Sequence, residues 1–326
     1  MAILIMNQML RELADNLGFK IGTAIQAKLL IHDQYCDVVA KHFNLVAPAT
    51  ELKIHTIRPT PYTWNFANAD RIVEFAQKHQ QSVRGHTLCW HLSRCEWMKN
   101  LTSLELETVL RDFIFETLRR YRGKIYAWDV VNEAINDQAR PRPSLWRQVE
   151  NFIPKCFQWA HQADPDAELM YLDYRVHTLA RWKAITKMVR ELKAADIPIH
   201  GVGMQLHHEV FRSLAIGHLR LAAAIQDLSS LGINIHVSEV TIAIPPASQA
   251  LPAAIKNQTQ AAAYRQLLKA SLEGGAKSFT VWGCTDRFIG HVPKESTPGL
   301  FDLNYQPKPA YFALVNELSQ WQERAA

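Results

Sequence analysis

The chain has few cysteines, no long apolar run, no block of like charge and no glycine-rich phosphate turn. Each gap removes a class of function. Its 326 residues hold five cysteines, Cys36, Cys89, Cys95, Cys156 and Cys284, with no Cys-x-x-Cys pair and no metal-type histidine spacing. An odd count leaves at least one thiol free, which leans towards a reduced compartment. Buried or loop thiols are expected rather than a Cys89–Cys95 bridge. No stretch reaches the about 18 apolar residues of a membrane span. Ala2-Ile-Leu-Ile-Met6 is too short for the apolar core of a signal peptide and follows no basic segment. The expected compartment is cytoplasmic if the chain is full length, or outside the cell if an export segment was removed. The net charge of +5 is spread along the chain without a basic run, so no nucleic-acid partner is expected.

What is present is a rhythm. Short apolar runs stand at Phe19–Ile25, Leu45–Ala49, Ser82–Leu88, Ile125–Asn132, Glu168–Asp173, His200–Leu206, Asn234–Glu239 and Ser278–Trp282. Helical stretches lie between them. Ala67 to Lys78 puts Ile72, Phe75 and Ala76 on one face, and Ser103 to Tyr121 puts Leu106, Leu110, Phe113, Ile114, Leu118 and Tyr121 on one face. His177 to Leu192, Ser213 to Leu231 and Thr259 to Leu272 read alike. Eight strand signals alternating with helices predict a single (β/α)8 TIM barrel spanning residues 1–326 as one domain. An open doubly wound sheet would want a phosphate turn after its first strand, and Ile21-Gly-Thr-Ala-Ile-Gln26 is not one. Met6, Met9, Leu10, Leu13 and Leu17 recur at helical spacing and predict an N-terminal helix closing the bottom of the barrel.

In such barrels chemistry collects where strands end. Two strand-like runs each deliver a glutamate there: Trp128-Asp-Val-Val-Asn-Glu133 and His236-Val-Ser-Glu239. Two carboxylates facing each other across a cleft are the minimum equipment for cleaving a glycosidic bond. The other strand ends are dense in polar and aromatic residues: Arg84-Gly-His-Thr-Leu-Cys-Trp-His91, Asp173-Tyr174, Gln205-Leu-His207-His208 and Trp282-Gly-Cys-Thr-Asp286. Polar groups beside tryptophans suit a sugar, whose hydroxyls need directional partners while its C–H faces pack on indole. Of His86, His91, His207 and His208 only the last two adjoin, and neighbours on a strand point to opposite faces, so no metal or other cofactor is expected. A Ser/His/Asp triad lacks its Gly-x-Ser-x-Gly elbow.

From about Leu10 to Leu318 the chain resembles glycoside hydrolase family 10, the family of retaining endo-β-1,4-xylanases. Six segments carry the resemblance: Gly85–His91, Trp128–Ala134, Gly203–His207, Val237–Ile242, Thr280–Asp286 and Gly299–Tyr311. It implies Glu133 as acid/base and Glu239 as nucleophile. It implies that Asn132 binds the 2-hydroxyl of the reacting sugar and that His207 hydrogen-bonds the nucleophile. Lys53, His86, Trp90 and Gln205 then line the glycone side, and Trp282 forms the floor of the reacting subsite. The implied substrate is xylan or xylooligosaccharide, acted on by a monomer away from membranes.

The chain also departs from the family pattern. The family reads Glu-Asn-x-Met-Lys-Trp after strand two, where this chain has Ala49-Thr-Glu-Leu-Lys-Ile54. Ala49 and Thr50 thus replace the groups that hold the sugar beyond the reacting one. Thr241 replaces an aspartate that partners the histidine, Gly290 a capping tryptophan, and Leu172 an asparagine. Alternatives to xylan hydrolysis are a β-glycosidase acting on another or a decorated glycone, and a non-catalytic carbohydrate-binding barrel. Joint retention of Glu133, Asn132, Gln205, His207 and Glu239 favours an enzyme, because buried polar groups are costly to keep without use.

Overall fold

A computed structural model describes residues 9–209, 218–245, 248, 250–288 and 292–325. Its centre is a closed parallel sheet. The strands are β1 (Lys20–Ile25), β2 (Leu45–Pro48), β3 (Ser82–Gly85), β4 (Cys89–Trp90), β5 (Ala127–Asn132), β6 (Glu168–Tyr174), β7 (Gly201–Glu209), β8 (Asn234–Ala243) and β9 (Ser278–Val281). They run in sequence order around the ring, and β9 closes onto β1 through Ile21↔Phe279 and Thr23↔Val281. Nine segments make eight staves, because β3 and β4 share one. Both pair with β5, through Gly85↔Trp128 and Trp90↔Asn132, with a cis peptide between His86 and Thr87 in the gap. The strands are short and almost wholly buried, as parallel strands covered by helices must be. Gly85 is required by packing: a Cβ there would lie 2.1 Å from the Trp128 ring.

Two staves carry an extra residue close to their C-terminal ends. Across β5 and β6 the register passes from Asp129↔Met170 to Val131↔Tyr171, leaving Val130 unpaired. Across β7 and β8 it passes from Met204↔Val237 to Gln205↔Glu239, leaving Ser238 over. Such bulges re-aim the side chains beyond them. The residues beyond them here are Asn132 and Glu133 on one stave and Glu239 on the other.

The helices follow the predicted faces. Ser103–Tyr121 buries every predicted residue and begins in a capping box, where Thr102 Oγ1 accepts from the Glu105 N–H and Glu105 accepts from the Thr102 N–H at 2.8 Å. In Ala67–Lys78 the buried face is Ala69, Ile72, Val73 and Ala76, while Phe75 sits on the flank against His79. The helix expected from Thr259 to Leu272 is longer, Ala253–Gly274, and that expected from Ser213 is described from His218 to Ser229. Helices at Asp33–His42, Phe152–Ala163 and Pro309–Ala325 complete the outer layer. Leu10–Asn16 lies at the N-terminal face of the barrel, where Arg11 caps Ala40, His79 and Gln80 carbonyls and the Leu10 N–H meets the Tyr311 hydroxyl. Met6, also expected in this helix, lies outside the described residues. All five cysteines are free thiols.

Candidate active site

The C-terminal ends of β4, β5, β7 and β8 converge on two carboxyl groups. Glu133 is the first residue past β5 and takes a left-handed backbone, φ 55°. Its N–H is held by the Leu172 carbonyl at 2.8 Å. One carboxyl oxygen accepts from Trp90 Nε1 at 3.0 Å and the other from Gln205 Nε2 at 3.2 Å. Gln205 also donates to Asn132 Oδ1 at 3.1 Å, so one amide ties Asn132 to Glu133. His91 Nδ1 stands 3.7 Å from the same carboxyl, and burial lowers its pKa against the pull of Glu133.

Glu239 is 4% exposed, in the middle of β8. His207 Nε2 lies 3.0 Å from one of its oxygens, and His86 Nδ1 lies 3.8 Å from the other. Burial pushes the Glu239 carboxyl up, but the His207 hydrogen bond and the nearness of the His86 and His207 imidazoles outweigh it. The group is held below the usual carboxylate range, anionic at neutral pH. Thr241 fills the place of the missing aspartate with a hydroxyl 3.0 Å from His207 Nδ1.

Behind this pair lies a support that motif reading did not single out. Asp129, fully buried, accepts from Arg84 Nε at 3.1 Å, from Arg84 Nη2, and from His86 Nδ1 at 3.0 Å. Burial alone would raise the Asp129 carboxyl, yet Arg84 and His86 keep it below its ordinary value. This ion pair fixes the His86 ring, whose other side meets the edge of Trp282 at 5.1 Å. Arg84 and Asp129 both lie within the quoted strand-end segments, so alternation along β3 and β5 was the available signal.

Lys53 stands over the Trp90 ring, Nζ 4.5 Å from its centre, and is 7% exposed. Burial lowers its pKa, opposed by Glu239, Glu133 and Glu51. The structure thus brings together Lys53, His86, Trp90, Asn132, Glu133, Gln205, His207, Glu239 and Trp282, all of the sequence-predicted site residues. Gly290 lies outside the described residues. His208 turns away from the carboxyl pair and meets the His177 ring.

The glycone flank departs as the sequence does. Glu51, two residues past Ala49, is turned inward and accepts from the N–H groups of Ala27 and Thr50, at 2.7 and 3.0 Å. Beside Ala49 opens a hollow walled by Leu29, Tyr35, Trp282 and Phe288, with Gln26 at its side. A longer side chain at position 49 would project at this hollow.

The sequence profile of glycosyl hydrolase family 10 matches residues 9–317. Over 313 residues the chain is 34% identical to a β-1,4-xylanase of Dictyoglomus thermophilum, covering 91% of this chain and 88% of that protein. It is 32% identical over 321 residues to endo-1,4-β-xylanase B of Thermotoga neapolitana, with 94% and 90% covered. The fold superposes on native xylanase 10B of Thermotoga maritima with a TM-score of 0.91 at 32% identity, covering 97% of this chain and all (100%) of that one. Xylanase 10B of Thermotoga petrophila, solved with xylobiose, superposes equally, with a TM-score of 0.91 at 31% identity over 97% of this chain and 98% of that one.

Proposed function

The chain belongs to glycosyl hydrolase family 10, and from that premise we propose that it hydrolyses β-1,4 bonds of xylan or xylooligosaccharides with retention. Glu239 is the nucleophile and Glu133 the acid/base. In the first step a Glu239 carboxylate oxygen attacks the anomeric carbon. The bond to the leaving oxygen breaks, and Glu133 gives that oxygen its proton. In the second step Glu133 takes a proton from water, water attacks the glycosyl ester, and Glu239 is released as the carboxylate. Both steps use only these two groups and water.

The observation that carries the reading is the unlike housing of the two carboxyl groups. Glu239 sits between two imidazoles that favour its anion, as a nucleophile requires. Glu133 takes its hydrogen bonds from neutral donors, Trp90 and Gln205, and the one imidazole placed near it, His91, stands 3.7 Å off. Asn132, Gln205, His86 and Lys53 offer hydrogen bonds to sugar hydroxyls, and Trp282 a face for the ring. The described residues constitute one catalytic domain in this reading, since β9 closes directly onto β1.

The test is a panel of aryl β-xylobioside, β-xyloside and β-glucoside, with the anomer first formed followed by proton NMR. Hydrolysis with the β-anomer appearing first is expected. The α-anomer first would overturn the assigned roles. Binding of xylooligosaccharides with no hydrolysis of any substrate would make the barrel a binding module.

A further inference from the structure

We propose that Arg142 is a positioning residue that sets the aim of Glu133. The inference rests on the acid/base reading of Glu133 and extends it to a side chain outside the sugar-binding wall. Glu133 occupies the left-handed region, which non-glycine residues enter only when their surroundings hold them there. Its carboxyl is held by Trp90 and Gln205, but those bonds cannot fix the main chain that turns out of β5. Arg142 does that. Its Nε donates to the Glu133 carbonyl at 2.8 Å and its Nη2 to the Ile135 carbonyl at 3.0 Å. Its own N–H is given to the Ala134 carbonyl at 2.7 Å, which folds the loop back on itself.

The guanidinium is anchored in turn. Nη2 donates to the Tyr174 hydroxyl at 2.6 Å, and that hydroxyl donates to Asp137 at 2.7 Å. A second arginine finishes the clamp: Arg181 reaches the Ile135 and Asn136 carbonyls at 3.0 and 2.8 Å and is pinned by Asp173 at 2.6 Å. Arg142 is therefore the one of the two arginines that touches Glu133 itself. It addresses the main-chain carbonyl and leaves the carboxyl to Trp90 and Gln205. Pro141 and Pro143 flank it and stiffen the backbone from which it reaches.

A planar fork serving two carbonyls and a hydroxyl cannot be copied by an ammonium. Loss of Arg142 frees the Glu133 peptide to rotate, and its carboxyl then reaches the leaving oxygen less often. In the first step the cost falls only where the leaving oxygen needs a proton, whereas the second step, which draws a proton from water, feels it with every substrate. Arg142→Met and Arg142→Lys are to be compared with Glu133→Ala on two xylobiosides, one with an unactivated phenyl leaving group and one with dinitrophenyl. For Arg142→Met, a roughly 10- to 100-fold loss of kcat/KM on the phenyl substrate is expected. On the dinitrophenyl substrate kcat/KM, which reports only the first step, should stay near the wild-type value, and azide should restore any kcat lost in the second step. Arg142→Lys should recover little, and added ethylguanidinium should restore part of the Arg142→Ala rate.

Equal losses of kcat/KM on both substrates, or no loss on either, would overturn the proposal. If Arg142→Met does not fold, the lysine variant at wild-type thermal stability carries the same test. Should Glu133→Ala itself show no dependence on the leaving group, the acid/base reading fails and the positioning role falls with it. Should Glu133→Ala show it while folded Arg142 variants do not, only the positioning role fails.

Discussion

At the scale of single residues, the two glutamates are expected to fail differently. Glu239→Ala should abolish turnover on every substrate, since no glycosyl ester can form. Glu133→Ala should lose about 10²–10⁴ on poor leaving groups, while bond cleavage should persist on dinitrophenyl glycosides and azide should accelerate their turnover. Steady-state rates across a leaving-group series check both, and identical behaviour of the two variants would reverse the assignment. Thr241 offers a second test. A hydroxyl can donate to His207 Nδ1 while the ring gives its Nε2 proton to Glu239, so both bonds form without an extra proton. A carboxylate there would call for an N–H at both ring nitrogens. Thr241→Asp should therefore favour the imidazolium and displace the pH–rate profile, measured as kcat/KM against pH. An unmoved profile would show that the hydroxyl and the carboxylate are equivalent partners.

At the scale of elements, strand identity was legible because parallel strands buried on both faces read as compact apolar runs. All eight predicted runs are staves of the barrel, and the face of Ser103–Tyr121 was written in its spacing. The helix Phe152–Ala163 was harder to see: Cys156, Phe157, Ala160 and Ala163 share one buried face, but Pro154 stands in its first turn. The break between β3 and β4 was also hidden, since the predicted run Ser82–Leu88 continues past Gly85, where β3 ends, and stops before Cys89, where β4 begins. The site motifs were visible from resemblance, whereas the Arg84–Asp129 ion pair and the anchoring of Arg142 on Tyr174 join residues on different strands and loops. The glycone flank yields its own expectation. With Glu51 committed to the Ala27 and Thr50 N–H groups, no carboxylate replaces the one missing at Ala49. Two or three hydrogen bonds lost to the distal sugar, at about 0.5–1.5 kcal/mol each and more for a charged partner, amount to about 1–4 kcal/mol. That is about 5- to 1000-fold in affinity. The unmutated protein should gain little from aryl xyloside to aryl xylobioside, and Ala49→Glu with Thr50→Asn should enlarge the gain. A several-thousand-fold xylobioside preference before mutation would contradict this.

At the scale of the whole molecule, buried histidines tie stability to pH. His177 and His42 are both lowered to about 4 by burial, helped by Arg220 and Arg175 in the first case and Lys41 in the second. Unfolded histidines bind their proton near pH 6.5. Above that pH neither state is protonated and the groups cost nothing. As pH falls from about 6.5 towards 4 the unfolded state takes up protons that the folded state refuses, so stability falls. For His177, the deeper of the two, the loss is at most about 3.5 kcal/mol at about 1.4 kcal/mol per pH unit. The melting temperature should decline across this window, and His177→Asn should flatten the decline. An equal slope in the variant would place the effect elsewhere. The bulges at Val130 and Ser238 have a consequence of another kind. Each glutamate faces the cleft only because an odd residue precedes it, so loss of a single codon upstream turns the rest of that strand inside out. In-frame deletion of Ser238 should therefore silence the protein, whereas deletion of one residue in the exposed turn around Tyr62 should be nearly neutral. Tolerance to deletion along this gene should follow the parity of the strands more closely than distance from the carboxyl pair.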